Sequence, residues 1–205
     1  MVIQQYLTYV IDILFPPRPD ELRVRSLTAH HVETLYGETR VDACISLSSY
    51  THPSIRTLIH EAKFYNNARA CTLLGRLIKQ YCTLHCTNIP TVLIPIPLSK
   101  KRMRTRGYNQ VTRILHTVDL SPFPLVIDSD TLIRIRHTRP QTELARDERL
   151  RNVTDAFRIK NPKRVQDKHI VLIDDVTTTG ATLTAAKATL LPHHPASITC
   201  IALAH

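Results

Sequence analysis

Hydrophobic positions along this chain follow two rhythms, and the change comes near residue 90. Before it, helical spacing dominates. Residues 2–15 fit a short apolar helix stopped by Pro16 and Pro17, since proline lacks the N–H that a helix interior needs. Residues 16–40 mix charges with His30, His31 and Gly37 and show no clean period. Residues 41–50 (VDACISLSSY) read as a strand. Pro53 suits the first turn of the next helix. There Ile55, Leu58, Ile59 and Ala62 form one apolar stripe at i, i+3, i+4 and i+7. Leu73, Leu74, Leu77, Ile78 and Tyr81 mark the face of another helix.

From residue 91 onward, short continuous apolar runs take over. Residues 91–96 (TVLIPI), 169–173 (HIVLI) and 197–203 (SITCIAL) read as strands buried on both faces, and 131–135 as a further short strand. Helices fall between them: one with Val111, Ile114, Leu115 and Val118 on a single face, a highly charged one over 141–152, and one over 181–191. Strands alternating with helices predict an α/β fold, a mostly parallel sheet flanked by helices. The expected organisation is an N-terminal helix and irregular segment (1–40), a small helical subregion (41–90) and the α/β core (91–205).

Composition narrows the function classes. The 205 residues suffice for one domain with a real core. Lys and Arg number 27 against 17 Asp and Glu, a formal charge of +10, which excludes an acidic solvating protein and favours anionic partners. The five cysteines form no CxxC pair, so neither a disulfide framework nor a zinc ribbon is expected. Cys82 and Cys86 share a helix face, but with His85 off that face they do not complete a tetrahedral site. The thiols read as small buried hydrophobes in a reducing compartment. No apolar run reaches the roughly 20 residues that cross a bilayer. The apolar start lacks a basic leader and carries Asp12, so it reads as a core or docking helix. The expectation is a cytoplasmic protein without a membrane span.

The strongest motif is His169-Ile-Val-Leu-Ile-Asp-Asp-Val-Thr-Thr-Thr-Gly-Ala-Thr182. A buried strand delivers Asp174 and Asp175 at its C-terminal edge, where open α/β sheets bind ligands. A hydroxyl-rich loop follows, then a helix. Backbone N–H groups of such a loop, at the positive helix end, form a phosphate cradle. Thr178, Thr179 and Thr182 add hydroxyls, and Gly180 permits a tight turn. Carboxylates accept hydrogen bonds from sugar hydroxyls and repel phosphate itself, so the pattern fits a sugar phosphate. It is not a P-loop, because no GxxxxGK[ST] is present.

Residues 171–182 (VLIDDVTTTGAT) resemble the phosphoribosyl-pyrophosphate (PRPP) signature of type I phosphoribosyltransferases. Further stretches narrow the resemblance to the ComF-like family, associated with bacterial competence. These are residues 50–79 around Ile59-His-Glu-Ala-Lys63-Phe-Tyr65, Leu93-Ile-Pro-Ile-Pro-Leu98, Arg106-Gly-Tyr-Asn-Gln110, and Arg139-Pro-Gln141 through Glu148-Arg149, Asn152 and Ala156-Phe157. The resemblance covers roughly residues 42–205, with Leu14-Phe-Pro-Pro17 as an outlying match. Many members carry a four-cysteine zinc module after LFPP, whereas residues 18–40 here contain no cysteine. A zinc-dependent interaction is therefore not carried over. His30 and His31 do not replace the module, because neighbouring residues in a strand face opposite ways.

The resemblance implies a Rossmann-like type I phosphoribosyltransferase fold with a hood formed before residue 91. It implies that Asp174 and Asp175 hold the ribose hydroxyls and steady the cationic sugar. Thr177, Thr178, Thr179, Gly180, Ala181 and Thr182 would then hold the 5′-phosphate. Pro97, Leu98, Ser99, Lys100 and Lys101 match the family's pyrophosphate loop, with backbone amides, Ser99 and the lysines facing the site. Arg106 would be a phosphate contact within a mainly structural RGYNQ segment. A third, arginine-rich loop over 134–152, with Arg134, Arg136, Arg146, Arg151 and Gln141, would close over PRPP and exclude water. Some of its arginines instead pair with Glu143, Asp147 or Glu148. Mg²⁺ is the implied cofactor, arriving through PRPP near Asp174 and Asp175, since hard oxygen ligands suit that ion.

The function implied is PRPP or ribose 5-phosphate nucleotide binding, with phosphoribosyl transfer to a nitrogen acceptor in nucleotide metabolism. No general base stands out, and the motifs select no acceptor. Tyr50, His60, Lys63, Phe64 and Tyr65 either contact a ligand or pack the hood. The competing reading is a competence-type DNA-uptake factor, a nucleotide or single-stranded DNA binding module without turnover that works with competence-machinery proteins. Lys100 to Arg106 holds five Lys and Arg in seven residues and fits either reading or a solvated face. With aromatics at 5% and no tryptophan, a base-stacking platform for DNA strands would be sparse.

Overall fold

The computed structural model of the chain describes residue 12 and residues 16–135 and 156–205. The apolar runs become the middle of one six-stranded sheet. Its strands are β1 (Thr39–Val41), β2 (Cys44–Ser46), β3 (Thr91–Pro95), β4 (Leu125–Ile127), β7 (His169–Val176) and β8 (Ser197–Ala204). Their spatial order is β1-β2-β8-β7-β3-β4. All neighbours are parallel except β1 and β2, which pair antiparallel at the edge. Leu93 stands opposite Val171, and Val171 opposite Thr199.

Central strands covered on both faces must be apolar on both sides, and a period of two sorts them. Val171, Ile173, Leu93, Ile201 and Leu203 join one core. Ile170, Leu172, Ile94, Cys200 and Ala202 join the other. The first core is covered by α3 (Pro53–Phe64), α4 (Ala68–His85) and α6 (Gln110–His116), through side chains such as Ile55, Leu58, Leu74, Leu77 and Ile114. The second is covered by α7 (Ala181–Leu190) and by a two-stranded ribbon of β5 (Leu132–Arg134) with β6 (Phe157–Ile159). The strand read over 131–135 therefore lies outside the parallel sheet and pairs antiparallel with β6. The charged helix expected over 141–152 and the helix expected over 2–15 fall outside the described residues, Asp12 excepted.

Residues 16–40 are more ordered than their lack of period suggests. They form α1 (Pro19–Ser26), α2 (Ala29–Thr34) and the edge strand β1. Only Val24 of α1 and Val32 of α2 are buried, so no apolar stripe announces either helix. Polar clamps do the holding. Arg69 donates through Nε to the Val24 carbonyl at 3.1 Å and through Nη2 to the Leu27 carbonyl at 2.7 Å. Arg18 pairs with the fully buried Glu61 at 2.9 Å. Among the described residues, no helix is long and apolar enough to cross a membrane.

The strand order also locates a crevice. The chain passes from β3 to β4 on one side, then returns to β7 on the other side of β3. Loops leaving the C-terminal ends of β3 and β7 therefore diverge, and ligands of open α/β sheets bind at such a switch point.

Candidate functional site

Asp174 and Asp175 occupy the C-terminal end of β7. Asp175 is 6% exposed and well supplied with donors. The Val176 N–H donates to its Oδ1 at 2.8 Å, and Gln110 donates through Nε2 to its Oδ2 at 2.7 Å. The Lys63 ammonium lies 3.2 Å from the same Oδ2. Burial alone would push this carboxyl up, but the charge and hydrogen bond of Lys63, with the two other donors, hold it below its ordinary value. Asp174 goes the other way. Burial first, then the charge on Asp175, pushes it up to about 8, although the Asp175 N–H donates to its Oδ1 at 2.9 Å. Adjacent acids in one site do not ionise equally, so Asp175 carries the charge and Asp174 keeps its proton at neutral pH.

Above the pair lies a cavity of about 140 Å³. Lys63, Arg102, Arg106 and Arg134 line it together with both acids, Gln110 and Thr182. Ile96, Pro97 and Leu98, leaving β3, form another wall. The four cations come from α3, from α5 (Lys100–Arg106) and from β5. Burial lowers the Arg106 guanidinium from its ordinary value, against the attraction of Asp175. Burial and the nearby Arg102 lower Arg134, against the attraction of Asp174. Cations outnumber acids here, so the cavity favours an anion.

The cradle after β7 is braced from within. Thr177 is buried, and its hydroxyl accepts the Gly180 N–H at 3.0 Å instead of facing the cavity. Gly180 caps α7 with a φ of 63° and offers no side chain to it. The first amides of that helix, Ala181 and Thr182 among them, are therefore open to an anion. Thr178 and Thr179 are exposed beside them, and Thr182 lines the cavity.

The β3 loop differs from its reading in part. Pro97 and Leu98 line the cavity, but Ser99 is buried and caps α5 by accepting the Arg102 N–H at 3.3 Å. Lys100 and Lys101 are exposed and do not line the cavity. The helix starts at Lys100, and helical rotation turns the i, i+4 pair Arg102 and Arg106 inward in their place. Arg134 takes its expected position, while Arg136 and Gln141 lie outside the described residues.

RGYNQ does more than open a helix. Arg106 donates to Gln110 Oε1 at 3.2 Å. Gly107 ends α5 in the left-handed conformation. Tyr108 donates its hydroxyl proton to the Ala62 carbonyl at 3.0 Å and accepts the Asn66 N–H at 2.9 Å, tying the end of α3 to this turn. Asn109 caps α6 and donates to the Ile96 carbonyl at 2.8 Å, holding the β3 loop. Gln110 reaches Asp175. Arg102, Lys63 and Gln110 were not singled out from sequence as phosphate or ribose contacts. The signal for two of them was present: Lys63 stands four residues past Ile59 on an apolar stripe, and Gln110 shares a helix face with Ile114.

The phosphoribosyl transferase domain family matches residues 108–205. The DNA utilization protein YhgH of Salmonella typhi is 33% identical over 164 residues, covering 75% of this chain and 68% of that protein. Competence protein F of Haemophilus influenzae is 30% identical over 160 residues, covering 75% and 69%. Competence protein ComFC of Bacillus subtilis is 38% identical over 100 residues, covering 49% and 38%. Among solved structures, a hypoxanthine phosphoribosyltransferase from Staphylococcus aureus aligns with 66% of this chain and 63% of its own, at 14% identity and a TM-score of 0.41. With the acid pair, the threonine cradle and relatives matched over three quarters of its length, the chain belongs to the ComF-like family of the phosphoribosyltransferase superfamily.

Proposed function

We propose that this protein binds PRPP, or a related ribose 5-phosphate nucleotide, together with Mg²⁺ and transfers the phosphoribosyl group to a nitrogen acceptor. In that step the bond from C1′ to pyrophosphate oxygen breaks and a bond from C1′ to nitrogen forms. The observation that carries the reading is the sharing of one cavity by Asp174, Asp175 and four cations. Asp175 accepts a ribose hydroxyl and its charge opposes the positive charge that develops on the sugar. The amides after Gly180 hold the 5′-phosphate. Arg102, Arg106 and Arg134 receive the departing pyrophosphate, and guanidinium forks match its oxygens. Positioning and electrostatics of this kind need no strong general base.

The donor set also suits Mg²⁺. Asp174 and Asp175 present carboxyl oxygens to a cavity where phosphate oxygens would lie, and hard oxygens are what this ion prefers. Asp174 would face it by giving up its proton, which a nearby cation favours. Bound there, the ion would neutralise charge on the pyrophosphate.

A second reading has its own observation. Helix α5 buries none of its residues and turns Lys100, Lys101 and Arg104 to solvent, a surface suited to nucleic-acid phosphates. It accords with the competence and DNA-utilization names of the relatives.

Calorimetric titration with PRPP and Mg²⁺ separates the two. Wild type is expected to bind, and Asp175→Asn to weaken binding by about tenfold or more, since a charged hydrogen-bond acceptor is lost. Equal binding by both proteins removes the ribose assignment. Pyrophosphate release that depends on one added base identifies the acceptor. Retention of single-stranded DNA that falls steeply with salt and ignores the substitution favours the second reading.

A further inference from the structure

We propose that Cys44 and Cys200 close into a reversible disulfide when the protein meets a hydroperoxide, and that closing it loosens the start of α7. The consequence for ligands rests on the sugar-phosphate reading above; the bond itself does not.

The two cysteines are neighbours across strands. Ile45 of β2 stands opposite Ile201 of β8 and Ser46 opposite Ala202, so one step earlier Cys44 faces Cys200. Adjacent strands run about 4.8 Å apart, inside the roughly 4.4–6.8 Å between α-carbons that a disulfide spans. Both side chains enter the same core, which Leu183 and Ala186 of α7 complete. The thiols share a hydrogen bond, which holds Cys44 below its ordinary value against burial and pushes Cys200 up. Cys44 is therefore the one to ionise and attack first. It directly follows the exposed turn of Asp42 and Ala43. Its strand spans three residues, and β1 beyond it is mostly exposed. Short edge elements of this kind open locally at low cost, which gives a small oxidant its approach.

Both sulfurs brace the anion cradle. A Cβ at Gly180 would lie 3.1 Å from Cys44 Sγ, so this sulfur forms the floor under the turn. Cys200 donates its thiol proton to the Leu183 carbonyl, in the first turn of α7, at 3.9 Å. In the reaction the Cys44 thiolate attacks the peroxide. The O–O bond breaks, hydroxide leaves and takes up a proton as water, and the sulfur is oxidised to a sulfenic acid. The Cys200 sulfur then attacks Cys44 Sγ. The S–O bond breaks, and a second water leaves with the Cys200 proton. The sulfurs end about 2.05 Å apart. Closure draws Cys44 Sγ from beneath Gly180 and removes the proton that Cys200 gave to Leu183. Cys82 and Cys86 share a hydrogen bond too, but both stand at the end of α4, so a bond between them joins no separate elements.

The reduced protein is treated with hydrogen peroxide, digested and read by mass spectrometry. A peptide pair linked through Cys44 and Cys200 is expected, lighter by two hydrogens and absent after dithiothreitol. Amide hydrogen exchange of residues 180–184 is expected to quicken on oxidation. Ribose 5-phosphate, titrated calorimetrically, is expected to bind about tenfold more weakly, the worth of a hydrogen bond to a charged group. Dithiothreitol restores both. Cys44→Ser and Cys200→Ser are each expected to keep the reduced affinity after peroxide; should Cys44→Ser not fold, Cys200→Ser carries that arm. No Cys44–Cys200 link, or a link at Cys82 and Cys86 only, overturns the proposal. So does a link that leaves exchange or affinity unchanged, or a loss of affinity that the serine variants share. If ribose 5-phosphate fails to bind the reduced protein, the sugar-phosphate reading falls, and the mapped link and the exchange rates decide the switch by themselves.

Discussion

Lys63 places its ammonium 3.2 Å from Asp175 Oδ2, joining the helical N-terminal half of the chain to the last residues of its central strand. Gln110 donates to the same oxygen, and Arg106 donates to Gln110. One carboxylate therefore gathers Lys63 from α3 and Gln110 from α6, with Arg106 of α5 behind Gln110. Removing the ammonium leaves a nearly buried charge with too few partners. Lys63→Met is expected to destabilise the protein by roughly 2 kcal/mol, below the 3–5 kcal/mol of a fully buried pair because Lys63 is partly exposed. It should also weaken PRPP binding by at least about tenfold. Lys63→Arg should recover much of both. Urea unfolding and calorimetry check this, and an undiminished affinity in Lys63→Met would show that the ion pair is only structural.

The raised carboxyl of Asp174 makes stability depend on pH. Its value is pushed from 3.8 to about 8, so between those limits the folded protein holds a proton that the unfolded chain has released. This contribution to stability is fully present below the unfolded value and is lost as pH rises through the folded one. Asp174→Asn mimics the neutral acid. Relative to wild type it is expected to gain stability steadily from pH ~4 to ~8 and then level off, ending several degrees higher in Tm. Thermal melts of both proteins across that range test the sign, and a constant difference would place the proton elsewhere.

Gly180 sits at a φ of 63°, and a Cβ there would lie 3.1 Å from Cys44 Sγ. Backbone strain and crowding act together, so Gly180→Ala is expected to cost about 1–2 kcal/mol and to blunt phosphate binding at the start of α7. Gly107 is a useful contrast. Its φ is 77°, but nothing lies within 4 Å of the added methyl. Gly107→Ala should therefore lose only the strain, about 1 kcal/mol, and keep phosphate affinity. Denaturation curves and phosphate titration of both variants decide whether the cradle depends on the turn.

Tyr108 bonds the Ala62 carbonyl and the Asn66 amide with a single hydroxyl. Tyr108→Phe removes both hydrogen bonds without changing charge or packing volume. A loss of about 1–2 kcal/mol in stability is expected, with a several-fold loss in PRPP affinity as the end of α3 loosens and Lys63 loses its fixed approach to Asp175. Were affinity unchanged while stability fell, Tyr108 would hold the fold and not the site.

Much was legible in the linear chain because the responsible forces act locally. A strand buried on both faces must be continuously apolar, so residues 91–96, 169–173 and 197–203 stand out. Asp174 and Asp175 ending such a run, followed by threonines and Gly180, mark an acid pair and an anion cradle by adjacency alone. Helices α3, α4, α6 and α7 follow from their apolar faces. Other features depend on partners far away in sequence. Helices α1 and α2 lack apolar stripes and owe their place to Arg69 and Arg18. That β5 pairs with β6 outside the parallel sheet is a choice of neighbour, which three residues cannot encode. Around the cavity, residue types were readable but directions were not. Ser99 became a helix cap, Lys100 and Lys101 turned to solvent, and Arg102, Lys63 and Gln110 turned inward. Sequence determines which groups are available and which neighbours they have along the chain. Only the packed structure, by fixing where helices begin and which face meets the sheet, decides which of those groups reach the same carboxylate.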